Sequence, residues 1–255
     1  VEVFSSAQGE GPHVGASTLF VRLGRCDLRC RWCDSPHTWR PTATCRLETA
    51  RGSGTFRVVP NPVAVDAVLD AIEALEPGAH RFVALTGGEP LLQPDVVARL
   101  ADALRGRGPR LLLETHGMAV EALAGVVDRI DVVSMDWKLA SDVRREGEAS
   151  EVLSHPGRDF HDVHARFLEQ ARRAPEVYVK LVVSPATRDE EVLAACARIA
   201  ALAPETLVVL QPVTPFGPVR ERPGAARLLA LQREAARSGL EVRVIPQTHP
   251  LYGAP

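Results

Sequence analysis

The sequence predicts an α/β fold built on parallel strands, an open or closed barrel of repeated βα units. Two observations predict it. Short apolar runs alternate with longer amphipathic stretches along the chain. The short runs are near-continuous in Val and Leu rather than alternating, as strands buried on both faces require. A third observation concerns function: polar clusters follow the strand runs, where α/β sheets and barrels place their ligand sites.

The strand candidates are Thr18–Gly24, Arg81–Gly87, Arg110–Thr115, Ile130–Lys138, Val177–Val183, Thr206–Val213 and Glu241–Gln247. Between them, helices are expected at Pro62–Leu75, Pro94–Arg105, Ala119–Val127, Asp162–Arg173, Asp189–Leu202 and Gly224–Ser238. Pro62 and Pro94 suit a first helical turn, and Gly239 suits a helix end. Two polar segments, 41–60 and 140–159, read as loop insertions, and no internal repeat or linker divides the chain. One domain over 1–255 is the expectation. In that reading the strand ends bring together Gly24–Cys33, the T-G-G-E-P run at Thr86–Pro90, Glu114–Gly117, Asp136–Lys138, Gln211, and Gln247 with His249.

Composition narrows the class. The 255 residues are 45% hydrophobic and 24% charged, with Lys+Arg 30 against Asp+Glu 32. That balance gives no argument for a nucleic-acid or anionic-membrane partner. No apolar stretch approaches the ~18 residues of a membrane span. The opening VEVFSSAQGEG has no basic segment followed by an apolar one, so no secretory leader is expected. Five cysteines, three of them within eight residues, make a poor disulfide framework and a good metal-ligand cluster. A reducing, cytoplasmic compartment follows as an expectation.

The cluster is Cys26, Cys30 and Cys33, spaced C-x-x-x-C-x-x-C. Cubane iron–sulfur clusters usually take four thiolates, so three on one loop leave an iron open to another ligand. Zinc is the competing metal, but a structural zinc site wants four Cys or His ligands, with Cys45 and His37 the candidates for a fourth. Cys196, in the helical run LAACARIA, reads as a core residue.

The cysteine spacing, with aromatic Trp32 before the last Cys, resembles the radical S-adenosylmethionine (SAM) signature. T-G-G-E-P is similar to the G-G-E motif that binds the SAM amine in that superfamily. Gly87 and Gly88 would let the backbone approach a ligand closely. Glu89 would either offer a carboxylate beside an ammonium or shape the turn. The resemblance implies a radical SAM partial (β/α) barrel whose 4Fe-4S cluster and SAM generate a 5′-deoxyadenosyl radical.

Further segments look like the 7-carboxy-7-deazaguanine synthase family: E-V-F-S-S-A-Q-G-E-G (Glu2–Gly11), F-V-R-L-G (Phe20–Gly24) and C-D-S (Cys33–Ser35). Others follow in matching order, from E-T-H-G (Glu114–Gly117) and S-M-D-W-K (Ser134–Lys138) to P-Q-T-H (Pro246–His249). His116 departs from the pattern, since relatives more often carry Asn there. The resemblance implies ring contraction of 6-carboxy-5,6,7,8-tetrahydropterin to 7-carboxy-7-deazaguanine with loss of ammonia, on the route to queuosine-type tRNA modification. It also implies Mg2+, a flavodoxin or ferredoxin as electron donor, and a homodimer. Gln8, Glu10, Arg22, Gly88, His249 and the terminal carboxylate of Pro255 are the expected substrate contacts. Glu10 would accept from the amine and amide edge of the pterin, and Arg22 would grip its carboxylate bidentately. Trp32, Thr86, Gly87, Gly88, Glu89, Ser134 and Gln211 are the expected SAM neighbours.

Ser35 is the expected Mg2+ ligand, with Asp34 the carboxylate alternative. Glu114, Thr115, Lys138 and Lys180 stand at strand ends beside the same mouth. His13, His37, His80, His155, His161 and His164 read as surface or loop residues. Competing readings are another radical SAM enzyme, such as a glycyl-radical activase, an iron–sulfur electron carrier, or a zinc-binding module.

Overall fold

Seven parallel strands form the body of a ten-stranded sheet in the computed structural model, which describes every residue except 156, 252, 254 and 255. The first six of these strands lie side by side in chain order: β2 (Ser17–Leu23), β6 (Phe82–Gly87), β7 (Arg110–Thr115), β8 (Val132–Asp136), β10 (Glu176–Val183) and β11 (Leu207–Pro212). The seventh, β12 (Val242–Val244), closes that edge. Helices α1 (Val65–Ala74), α2 (Pro94–Leu104), α3 (Val120–Val126), α4 (His161–Ala171), α5 (Asp189–Leu202) and α6 (Ala225–Ala236) connect them, as parallel pairing requires. Every strand and helix expected from the sequence is present within a few residues, and the architecture is the expected α/β fold.

The near-continuous apolar runs are explained by two buried faces. Val83, Leu85, Leu113, Val133 and Leu181 pack toward Ile72, Leu100, Leu123, Phe167 and Ile199 of the helices. Their neighbours in sequence, Phe20, Phe82, Ala84, Leu112, Val132 and Tyr178, form an apolar floor on the opposite face. Strand periodicity then fixes what comes next on that inner face. Two residues beyond the floor, Arg22, Thr86, Glu114 and Lys180 line a cavity, joined by Asp136 of β8 and Gln211 of β11. A polar layer therefore stands on an apolar one.

The sequence did not announce the remaining strands. β1 (Glu2–Ala7) runs antiparallel beside β2, and β4 (Thr44–Glu48) runs parallel to β1. β5 (Phe56–Pro60) completes a hairpin with β4 at the sheet edge. Half of segment 41–60 is thus strand rather than loop. The hairpin buries at most one face of each strand, so TCRLE and FRVVP lack the continuous apolar signal. Within 140–159, β9 (Val143–Arg145) pairs antiparallel with β3 (Leu28–Cys30), the strand that carries Cys30. Pro62 does not open α1, which begins at Val65.

Among the described residues no helix is long and apolar enough to cross a membrane. Leu85 is fully buried between sheet and helices. Leu85→Ala is expected to lower stability by about 2–5 kcal/mol, read as a reduced urea midpoint at unchanged slope.

Candidate active site

A cavity of about 470 Å³ opens at the C-terminal ends of the parallel strands. Cys26, Cys30 and Cys33 line it together, half-buried and unpaired. Cys45 does not: it lies in β4, buried in the helix-side core with Leu47. Cys196 is buried in α5. The cavity therefore offers three thiols and no fourth. Burial pushes the Cys26 thiol up to about 11 and Cys30 to about 12, and raises Cys33 as well. Metal loading must release these protons, because only thiolates bind. Among the described residues no three His, Cys, Asp or Glu side chains converge closely enough to share one metal ion. A cubane takes one thiolate at each corner and needs no such convergence.

The cysteine loop is held from beneath. Glu89 is fully buried, and its Oε1 accepts from the Leu91 N–H at 2.9 Å and the Thr115 hydroxyl at 2.9 Å. Its Oε2 accepts from the His116 N–H at 2.7 Å. His116 Nδ1 accepts from the Met118 N–H, which leaves the proton on Nε2 to donate to Asp27 at 2.8 Å. That bond is the first cause of the lowered Asp27 pKa. One carboxylate thus joins the turn after β6 and the end of β7, and His116 extends the tie to the cysteine loop.

Gly87 and Gly88 make the close approach, although their nearest neighbour is the loop itself. A Cβ on Gly88 would lie 2.1 Å from the Arg25 carbonyl oxygen, and one on Gly87 2.1 Å from that of Leu23. Both glycines still line the cavity. From the outer side, Arg29 donates to the Cys26 and Leu28 carbonyls at 2.8 and 2.7 Å. Its guanidinium lies 4.8 Å from the Trp39 ring.

A chain of alternating charges crosses the cavity. Lys138 pairs with Asp136 at 2.7 Å, Asp136 with Lys180 at 3.0 Å, and Lys180 with Glu10. Burial would raise the Asp136 pKa, but the two lysines outweigh it and hold it at about 2. Burial likewise raises Glu10, and Lys180 brings it below the ordinary carboxylate value. Lys138 and Lys180 are raised despite burial by these same carboxylates. All four groups stay charged at neutral pH. Lys138 also lies 4.6 Å from the Trp32 ring centre.

The two ends of the described chain meet at the mouth. Gln8 donates to Glu114 at 2.9 Å and accepts from the Glu10 N–H at 3.1 Å. Gln247 donates to Glu10 at 2.6 Å and to Asp34 at 3.0 Å, and Thr248 N–H donates to the Gly9 carbonyl at 2.9 Å. His249 packs on Gly9, where a Cβ would meet its Nδ1 at 2.3 Å.

The radical SAM superfamily profile matches residues 21–199. The chain is 37% identical to the 7-carboxy-7-deazaguanine synthase of Geobacter sulfurreducens, over 99% of this chain and 96% of that one. With the synthase of Methanothermobacter thermautotrophicus it shares 35% identity over 99% and 96%. This chain belongs to the 7-carboxy-7-deazaguanine synthase family of radical SAM enzymes. The fold agrees: the crystal structure of QueE from Escherichia coli aligns with a TM-score of 0.58 at 22% identity, covering 97% of this chain and 92% of that one. A radical SAM methyltransferase from Sphaerobacter thermophilus aligns with the same TM-score at 16% identity, covering 91% and 66%. A 4Fe-4S cluster and SAM are the cofactors of the superfamily, and the three-thiol cavity fits them.

Against that family frame, Gln8, Glu10, Arg22, Trp32, Ser35, Thr86, Gly87, Gly88, Gln211 and His249 all line the one cavity. Glu89 and Ser134 do not; both are buried behind it. Glu89 therefore shapes the turn, the second of the two roles its position allowed. Pro255 lies outside the described residues. Arg22 forms an ion pair with Glu2, Nε lying 2.8 Å away without hydrogen-bond geometry, and donates through Nη1 to Ser35 at 3.2 Å.

Sequence reasoning placed Asp136 and Gln247 at the mouth without giving either a contact, and gave Glu2 and Trp39 no role there. Period-two counting from the apolar floor would have singled out Asp136 as facing inward. Three histidines also differ from expectation: His80, His161 and His164 are buried. Each has a polar partner, His161 accepting from the Trp137 indole at 3.0 Å and His80 lying 2.9 Å from the Ser17 hydroxyl.

His164 accepts from the Lys138 N–H at 3.0 Å and stacks on Trp137, with ring centres 5.1 Å apart. Burial drives its pKa down to about 3. Since the unfolded chain takes this proton near the ordinary 6.5, the stabilisation is full above 6.5 and declines as pH falls toward 3. His164→Gln is expected to be less stable than wild type at pH 7.5 but to lose less between pH 6.5 and 4.5. Denaturant midpoints of the metal-free protein check this.

Proposed function

We propose that this chain converts 6-carboxy-5,6,7,8-tetrahydropterin into 7-carboxy-7-deazaguanine with loss of ammonia, a step toward queuosine-type nucleosides. One observation carries the reading: a single cavity is lined both by the three cysteines of the radical SAM motif and by the Gln8–Glu10 loop. Full-length similarity to synthases of that name supports it.

Cys26, Cys30 and Cys33 would hold the cluster. When bound, cluster and SAM supply a 5′-deoxyadenosyl radical that abstracts hydrogen from the substrate. Gln211 presents a buried Oε1 with no partner among the described residues, an acceptor waiting for a ligand donor. Thr86, the Gly87–Gly88 backbone and Trp32 line the same cavity, and Lys138 suits the SAM carboxylate. Glu89 and Ser134 act from behind, as supports. Glu10, ionised by Lys180, accepts from the donor edge of the pterin, and Gln8 sets its direction. Gly88 and His249 border the same space, and Arg22 faces the substrate carboxylate.

An electron donor of the flavodoxin or ferredoxin type, a homodimer, a cytoplasmic setting and a single radical SAM domain complete the reading. All five cysteines are free, and edge strand β5 leaves Val58 60% exposed. The reconstituted protein, incubated anaerobically with SAM, reductant, Mg2+ and 6-carboxytetrahydropterin, is expected to form the deazaguanine carboxylate, read by mass and ultraviolet spectrum. SAM cleavage with no such product would leave only the superfamily chemistry.

Ser35 is our choice for Mg2+. Its hydroxyl lines the cavity, donates to Asp34 Oδ1 at 2.9 Å and accepts from Arg22. Asp34 Oδ2 is occupied by Gln247. With so few protein oxygens, the ion would complete its shell from substrate and water. Ser35→Ala is expected to raise the half-saturating Mg2+ concentration roughly tenfold or more, and Asp34→Ala to raise it less. The reverse order would move the ion to Asp34.

A further inference from the structure

Three strands place Arg22, Glu2 and Arg46 in one row. Glu2 of β1 lies directly opposite Arg22 of β2 and directly opposite Arg46 of β4. Directly opposed residues project from the same face of a sheet, and all three side chains line the cavity. Glu2 is nearly buried and touches both arginines, at 2.8 Å from Arg22 Nε and 3.6 Å from Arg46 Nη1. One carboxylate shared by two guanidiniums leaves a net positive charge facing the chamber.

The two arginines differ in what they have left to give. Arg22 holds Nε against Glu2 in an ion-pair contact without hydrogen-bond geometry and donates through Nη1 to Ser35, so its guanidinium already answers two oxygens before any ligand arrives. Arg46 makes only the long contact to Glu2 among the described residues. Its side chain is 53% exposed at the rim, and its guanidinium stacks 4.0 Å from the Phe56 ring centre. Stacking holds the planar group without using its N–H donors. The sequence offered no reason to notice Arg46, which sits in the hairpin read as a loop.

We infer that Arg46 is a second binding residue for the substrate carboxylate, presented by the β4–β5 hairpin and aligned by the Glu2 it shares with Arg22. The inference rests on the proposed pterin substrate. Its specificity consequence is discrimination between pterins with and without a 6-carboxylate.

The test uses the reconstituted holoenzyme with SAM and Mg2+ under anaerobic conditions, titrated with two fluorescent probes, 6-carboxypterin and unsubstituted pterin. Arg46→Gln is expected to weaken 6-carboxypterin binding roughly tenfold while leaving pterin binding unchanged. Arg46→Lys is expected to recover part of the loss, since it keeps the charge but not the fork. Equal weakening of both probes would overturn the inference by making Arg46 a structural residue, and so would no change in either. Wild-type protein that holds neither probe would remove the substrate reading and this inference with it, whereas an Arg46→Gln variant that discriminates between the probes as wild type does removes only the latter.

Discussion

Everything at the cavity depends on how one buried carboxylate is satisfied. Glu89 is fully buried, so its two oxygens are satisfied only because three donors converge on them. Those donors come from the turn after β6 and the end of β7. With His116 reaching on to Asp27, the contact spans three loops, beside the backbone bonds from Gly88 to Leu23 and from Glu89 to Arg25. The cysteine loop has only the short β3 as regular structure, and its geometry is borrowed from this knot and from β9. Of the two roles the sequence left open for Glu89, its contacts within the chain are those of a residue that shapes the turn.

The inner face of the sheet follows from the same economy of position. Each strand crosses from an apolar layer to a polar one within two residues, so the polar groups are rigidly mounted yet face open space. Lys180 and Asp136 could not remain ionised at such depth alone. They do so because opposite charges alternate along the chain from Lys138 to Glu10. The arrangement is neutral as a whole, which lets a charged ligand enter without confronting a large uncompensated field.

The parallel core was legible because strands buried on both faces write an unbroken apolar run into the chain, and Pro94 marked the start of α2, although Pro62 stands outside α1. The cysteine motif was legible because three thiols in eight residues have few other uses. What could not be read was pairing across the sheet. Glu2, Arg22 and Arg46 are neighbours only through strand register, and the hairpin that supplies Arg46 reads as polar loop. His116 likewise looked like a departure from its family until the structure gave it Asp27 as a partner. His161 and His164 were misread because a helix beginning at Phe160–His161 buries polar rings whose hydrogen bonds only tertiary structure reveals.

The clasp between Gly9 and Thr248 has a consequence in time as well as in space. On the ribosome, residues 8–10 emerge long before residues 247–249, and the Glu10 loop must wait for Gln247 to arrive. The wall of the chamber is thus finished last, after the sheet that supports it. A nascent chain arrested short of its final strand would have its cysteine loop in place and a door frame with one post missing.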